Sequence, residues 1–130
     1  MKTVAFAASE TSCHEVDGVL MVAFAAIERA GVDAEYLILQ RTLEPTAEDQ
    51  RLGMDGPYLE LSDQSRGMYH GARLVELRES SLRIVLHEAA SRRFGAEEIE
   101  VRLQPGVDQE RLSRALQTVL RGTEFYCFAV

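Results

Sequence analysis

Six side chains able to bind a partner or handle a proton fall in one short stretch. Asp55, Tyr58, Glu60, Asp63, Gln64 and Tyr69 lie between Gly53 and Gly71, with Gly56, Pro57 and Gly67 among them. Glycines open backbone shapes closed to other residues, and loops held by a rigid scaffold are where binding groups gather. Glu60 and Asp63, three residues apart, come nearest to a carboxylate pair. Acid–base work by such a pair needs environments that drive the two pKa values apart. At a strand end they read instead as two solvated charges. The stretch has no cysteine or lysine, one histidine (His70) and no serine in a nucleophile turn. It suits recognition better than turnover, although Gly, Pro, Asp and Ser also mark ordinary turns.

Elsewhere the reactive residues do not assemble. Cys13-His14-Glu15 invites a metal or a thiol nucleophile, but adjacent strand residues point to opposite faces, so Cys13 and His14 do not converge and a Cys–His dyad would have to be assembled through the fold. No Cys-x-x-Cys pair is present, and His70 and His87 lack a histidine four residues away. No metal or cofactor is expected. Phosphate-cradling glycine motifs are absent too. Arg73, Arg78, Arg83, Arg92 and Arg93 are interleaved with glutamates rather than aromatics, so nucleic-acid binding is not expected.

A chain of 130 residues has the size of one ordinary domain. Its 46% hydrophobic and 27% charged content argues against disorder. The longest apolar run, Val19 to Ile27, is nine residues, about half a membrane span. No secretory signal is evident at Met1-Lys2-Thr3-Val4, which makes the cytoplasm the expected compartment and reduced thiols the default for Cys13 and Cys127. The net charge of −7 lies in one half: residues 1–70 carry five basic and twelve acidic side chains, while residues 71–130 carry nine of each. Such a field favours a basic partner and speeds its encounter.

The elements that must position these residues follow from periodicity. Lys2 to Cys13 and Gly18 to Ile27 read as strands joined at Asp17-Gly18, the second apolar enough to be covered on both faces, with the start of a buried helix as the alternative for its nine apolar residues. A turn is expected at Ala30 to Asp33, then a strand from Glu35 to Gln40. Thr46 and Asp49 form a capping box for a short helix that Gly53 ends. Tyr58 to Leu61 make a short strand, Ala72–Arg78 and Leu82–His87 a hairpin, and Glu88 to Phe94 a brief helical turn ending at Gly95. Ile99, Val101 and Leu103 alternate with polar residues in a strand with one buried face. Asp108 to Arg121 is the best helix: Leu112, Ala115, Leu116, Val119 and Leu120 make one stripe, Asp108 caps it, Val107 staples it and Gly122 ends it. The order of elements predicts an α+β fold. It should be one domain over 1–122, a mostly antiparallel sheet of about six to seven strands packed by the C-terminal helix. The apolar tail, 123–130, should pack as a final strand or dock on another subunit.

Several segments together resemble a known family. Asp17-Gly-Val-Leu-Met-Val-Ala-Phe24, Tyr36-Leu-Ile-Leu-Gln-Arg41, Leu52-Gly-Met-Asp-Gly-Pro-Tyr-Leu-Glu60, Asp63-Gln64 and Tyr69-His-Gly71 are similar to immunity protein family ten of bacterial polymorphic toxin systems. The likeness runs over about residues 15–121, with His70 where the family pattern leads one to expect glycine. The resemblance implies a small α+β protein that binds and neutralises a cognate toxin domain, with no reaction of its own. Placement and charge make Asp55, Tyr58, Glu60, Asp63, Gln64 and Tyr69 the candidate contacts, and a basic toxin such as a nuclease the candidate partner. Two rivals stand beside this reading. One is a homodimeric interaction module joined through its tail; the other is a small acid–base enzyme using Glu60, Asp63 and Tyr69 around a pocket.

Overall fold

Lys2 to Cys13 does not form one strand. In the computed structural model, which describes residues 2–26 and 35–123 and the backbone of 126–128, the segment splits into β1 (Thr3–Ala7) and β2 (Glu10–Val16) in different sheets. The crossing is at Ala8-Ser9. The Ala8 amide donates to the carbonyl of Arg102 at 2.9 Å, and the next amide, Ser9, donates to that of Ala25 at 2.8 Å. Two successive amides thus serve two sheets, which alternation along a single strand does not reveal.

The hairpin at Asp17-Gly18 forms as its sequence dictates. Both residues take left-handed backbone angles, φ 52° and 77°, the two-residue turn whose twist matches its strands. It joins β2 to β3 (Val19–Ala25), and β4 (Tyr36–Thr42) pairs with β3 on the other side. The turn expected at residues 30–33 lies outside the described residues. The capping box of α1 (Ala47–Arg51) is complete: the Asp49 amide donates to Thr46 Oγ1 at 3.0 Å, and the Thr46 amide donates to Asp49 Oδ2 at 2.9 Å.

The chain continues through β5 (Tyr58–Leu61), a 3₁₀ turn (Gln64–Arg66), β6 (Gly67–Tyr69), β7 (Ala72–Leu77), β8 (Ser81–Leu86), α2 (Glu88–Phe94), β9 (Glu98–Arg102) and α3 (Gln109–Val119). The backbone of Tyr126–Phe128 forms β10. One sheet has the order β1-β9-β8-β7-β10 and the other β2-β3-β4-β5-β6. Among the described residues, only β1–β9 and β10–β7 pair in parallel. The α+β class and single domain therefore hold, with ten strands among the described residues, in two sheets, in place of six to seven in one. The additions come from the split first strand, from β6 inside the glycine-rich stretch and from β10.

One core joins the two sheets and α3. The stripe of α3, Leu112, Leu116, Val119 and Leu120, packs in it with Val22, Phe24, Leu37 and Leu39 from β3 and β4, and with Leu82, Ile84, Ile99 and Val101 from β8 and β9. Each such side chain contributes about 1.5–3 kcal/mol on burial. The inner face of β3 is fully buried at Val22 and Phe24, but Val19, Met21, Ala23 and Ala25 on its outer face are half-buried. The expectation that both faces of β3 are covered is corrected here, with consequences for the site. None of the helices among the described residues is long and apolar enough to cross a membrane.

Candidate functional site

β5 alternates, so Leu59 and Leu61 enter the core while Tyr58 and Glu60 face outward. Pairing aligns those outward residues with their neighbours. Tyr58 stands beside Gln40 and Tyr69, and Glu60 stands between Ile38 and Gly67. The Tyr58 and Tyr69 rings lie 5.1 Å apart, tilted by 56°. Glu60 is gripped from both sides: Tyr36 donates its hydroxyl to Oε2 at 2.5 Å and Tyr58 donates to Oε1 at 2.8 Å. Burial, then the hydrogen bond to Glu60, then its charge push both phenols up to about 12, so they remain protonated donors at neutral pH. Burial and the nearby charge of Asp49 also raise Tyr69.

The geometry of Tyr58 depends on Gly67. A Cβ at Gly67 would collide with the phenol oxygen and stand 2.7 Å from Cζ, so the ring lies across bare backbone. His70 closes the same hairpin. Its φ of 56° is left-handed, a shape glycine takes freely, and its ring covers Gly56 so closely that a Cβ there would stand 2.7 Å from Nε2. The left-handed turn explains why a glycine is expected at this position.

Of the six residues singled out in the sequence, the fold brings three together: Tyr58, Glu60 and Tyr69. Asp63 begins the 3₁₀ turn at the rim. It accepts from the Ser65 amide at 2.9 Å, and this backbone hydrogen bond, with one from the Ser65 side chain, holds its carboxyl below the usual value. Gln64 is exposed in that turn. Asp55 lies within electrostatic reach of Arg41 in the loop before β5. Sequence reasoning missed Tyr36, which it treated as one more apolar strand residue. The signal was present: in Tyr36-Leu-Ile-Leu-Gln40 the leucines must face inward, which turns Tyr36, Ile38 and Gln40 outward.

A groove of about 330 Å³ runs between the β2 edge and the start of α3, lined by Cys13, Asp108 and Arg111 among others. A second, of about 280 Å³, lies along β1 at Phe6, Glu100 and Arg102. Burial raises the thiol of Cys13 while Arg111 opposes that shift, and Arg111 donates to the Cys13 carbonyl at 2.7 Å. Cys13 pairs across from Val22 and His14 from Met21, so their side chains take opposite faces. Among the described residues, no three His, Cys, Asp or Glu side chains cluster to hold a metal.

These residues form a small α+β scaffold with fixed donors and acceptors on the open face of a sheet. The model of the family Immunity protein 10 matches residues 4–111, and the chain belongs to that family. Membership points to a toxin-neutralising role, in a family that is generally non-catalytic. The match reaches back into β1, earlier than the resemblance in sequence suggests, and ends in the first turn of α3. No curated protein matches the chain.

Proposed function

We propose that this protein neutralises a cognate bacterial toxin domain in the cytoplasm by binding it, without a reaction of its own. The family match over residues 4–111 carries the reading. The outer face around Tyr58, Glu60 and Tyr69 supports it: tyrosines offer large contact area at low entropic cost, and a hydrogen-bonded carboxylate is a pre-set acceptor. Asp63 and Gln64 would extend that contact at the rim and Asp55 at its far end. The excess of acid in residues 1–70 favours a basic toxin, such as a nuclease.

The test begins with the protein as bait in its source organism, identifying what co-purifies by mass spectrometry. The C-terminal domain of a large secreted protein is the expected capture. Expressed alone that domain should arrest growth, and co-expression with this chain should restore it. A captured domain that arrests growth equally with and without the chain would refute the reading.

A further inference from the structure

The half-buried apolar surface of β3 and the carboxylate on β5 belong to one face. Register sets Ala23, Ile38 and Glu60 side by side in one row, and Met21, Gln40, Tyr58 and Tyr69 in the next. An antiparallel sheet with one wet face normally carries polar residues there. In these two rows methyl, thioether and phenol groups surround Glu60, and Gln40 is the other polar side chain.

Glu60 is held differently from the glutamates that pair with arginine. Glu48, Glu76, Glu88 and Glu98 lie against Arg51, Arg78, Arg92 and Arg83. Among the described residues Glu60 has no such ion pair, and its oxygens accept from neutral phenols. A phenol has one hydrogen to give, so the two tyrosines fix the plane of the carboxylate without supplying a positive charge, while Arg66 in the 3₁₀ turn lies within electrostatic reach of Tyr36 at the rim.

We propose that this face receives an arginine set in an apolar patch of the toxin domain, its guanidinium forked onto Glu60 and lying against the rings of Tyr58 and Tyr69. The proposal rests on the binding function argued above and names its chemistry. Arginine is preferred to lysine because its planar fork matches a carboxylate, stacks on aromatic faces and sheds water more readily than an ammonium. Met21, Ala23 and Ile38 supply the dry surround in which such a contact gains most. A second copy of this chain fits poorly. The outward positions of β2 to β6 include Glu10 and Glu60 and no lysine or arginine, so two such faces meeting would leave both carboxylates unanswered.

The test is an NMR titration of the full isotope-labelled chain with acetyl-Leu-Arg-Leu-amide and, separately, acetyl-Leu-Lys-Leu-amide. Saturable shifts are expected at the amides of β4, β5 and β6, with the arginine peptide about tenfold tighter, and that preference should vanish in Glu60→Gln. The spectrum of the variant reports its fold. Absence of shifts on these strands, equal binding of the two peptides, or a preference that survives Glu60→Gln would overturn the proposal. Peaks on this face that move on diluting the protein alone would assign it to a second copy and overturn it equally. Growth protection by the unaltered protein is read independently, so failure of the arginine site and failure of the immunity reading are told apart.

Discussion

The ring of Tyr58 lies across the backbone of Gly67, on the neighbouring strand, and reaches Glu60 because Gly67 has no side chain. Gly67 itself has ordinary extended angles, φ −111° and ψ 141°. Its requirement is space, not backbone freedom. Gly67→Ala should therefore displace the ring, break the Tyr58–Glu60 hydrogen bond and cost about 1–3 kcal/mol, the usual penalty for forcing an atom into a packed site. Urea unfolding measures it. In a Tyr58→Ala background the same change should cost little, and an equal loss in both backgrounds would place the clash elsewhere.

The two phenols that hold Glu60 make stability depend on alkaline pH. Tyr36 and Tyr58 rise from an ordinary 10.0 to about 12 in the folded protein. A group whose folded pKa is raised stabilises the fold fully below its unfolded pKa and loses that contribution as pH climbs through the folded one. Stability should thus decline between about pH 10 and 12 beyond what the other tyrosines cause. Glu60→Gln removes the charge and weakens the hydrogen bond but leaves the burial. Phenolate absorbance in that variant should titrate at lower pH, yet not fully back to the ordinary value. An unmoved titration would mean that burial alone holds these phenols up.

Much of this architecture was legible because local rules and the global fold agree. Asp17-Gly18, the Thr46–Asp49 box, Gly95, and the stripe of α3 each form where propensity puts them. Sheet membership was not legible. β1 and β2 have alike alternation, and only the partners of Ala8 and Ser9 decide that they part. The site was half legible for the same reason. Tyr58, Glu60 and Tyr69 are close in sequence, whereas Tyr36 joins them through strand pairing, and Gly67 looked like a turn residue until its neighbour across the sheet was known.

His70 and Gly56 should be energetically coupled. A Cβ at Gly56 would strike the His70 ring, and His70 is held at φ 56°. His70→Gly relieves the backbone cost but loses the ring, while His70→Ala loses the ring and keeps the cost. The alanine variant should be the less stable of the two by about 1 kcal/mol. Gly56→Ala should be destabilising beside His70 and much milder beside Gly at position 70. Thermal melts of this double-mutant cycle measure the coupling, and simple additivity would show that the ring can swing clear at no cost.

Arg41 fastens the end of α3 to the second sheet. Its Nη1 donates to the carbonyls of Val119 at 2.9 Å and Arg121 at 2.5 Å, two acceptors that the end of the helix leaves without partners of its own. Burial, followed by the charge of Arg121, lowers the pKa of Arg41, and Asp55 opposes that shift. A cation held there against its desolvation contributes through the bonds it makes. Arg41→Met keeps the length of the side chain and removes both bonds, so it should cost about 1–3 kcal/mol and speed amide exchange in the last turn of α3. Asp55→Asn should cost less, because Asp55 only favours the charge that Arg41 carries. If the two variants were equally damaged, the ionic partner and not the helix carbonyls would be what Arg41 serves. Asp55 would then be a structural residue and would leave the set of candidate toxin contacts.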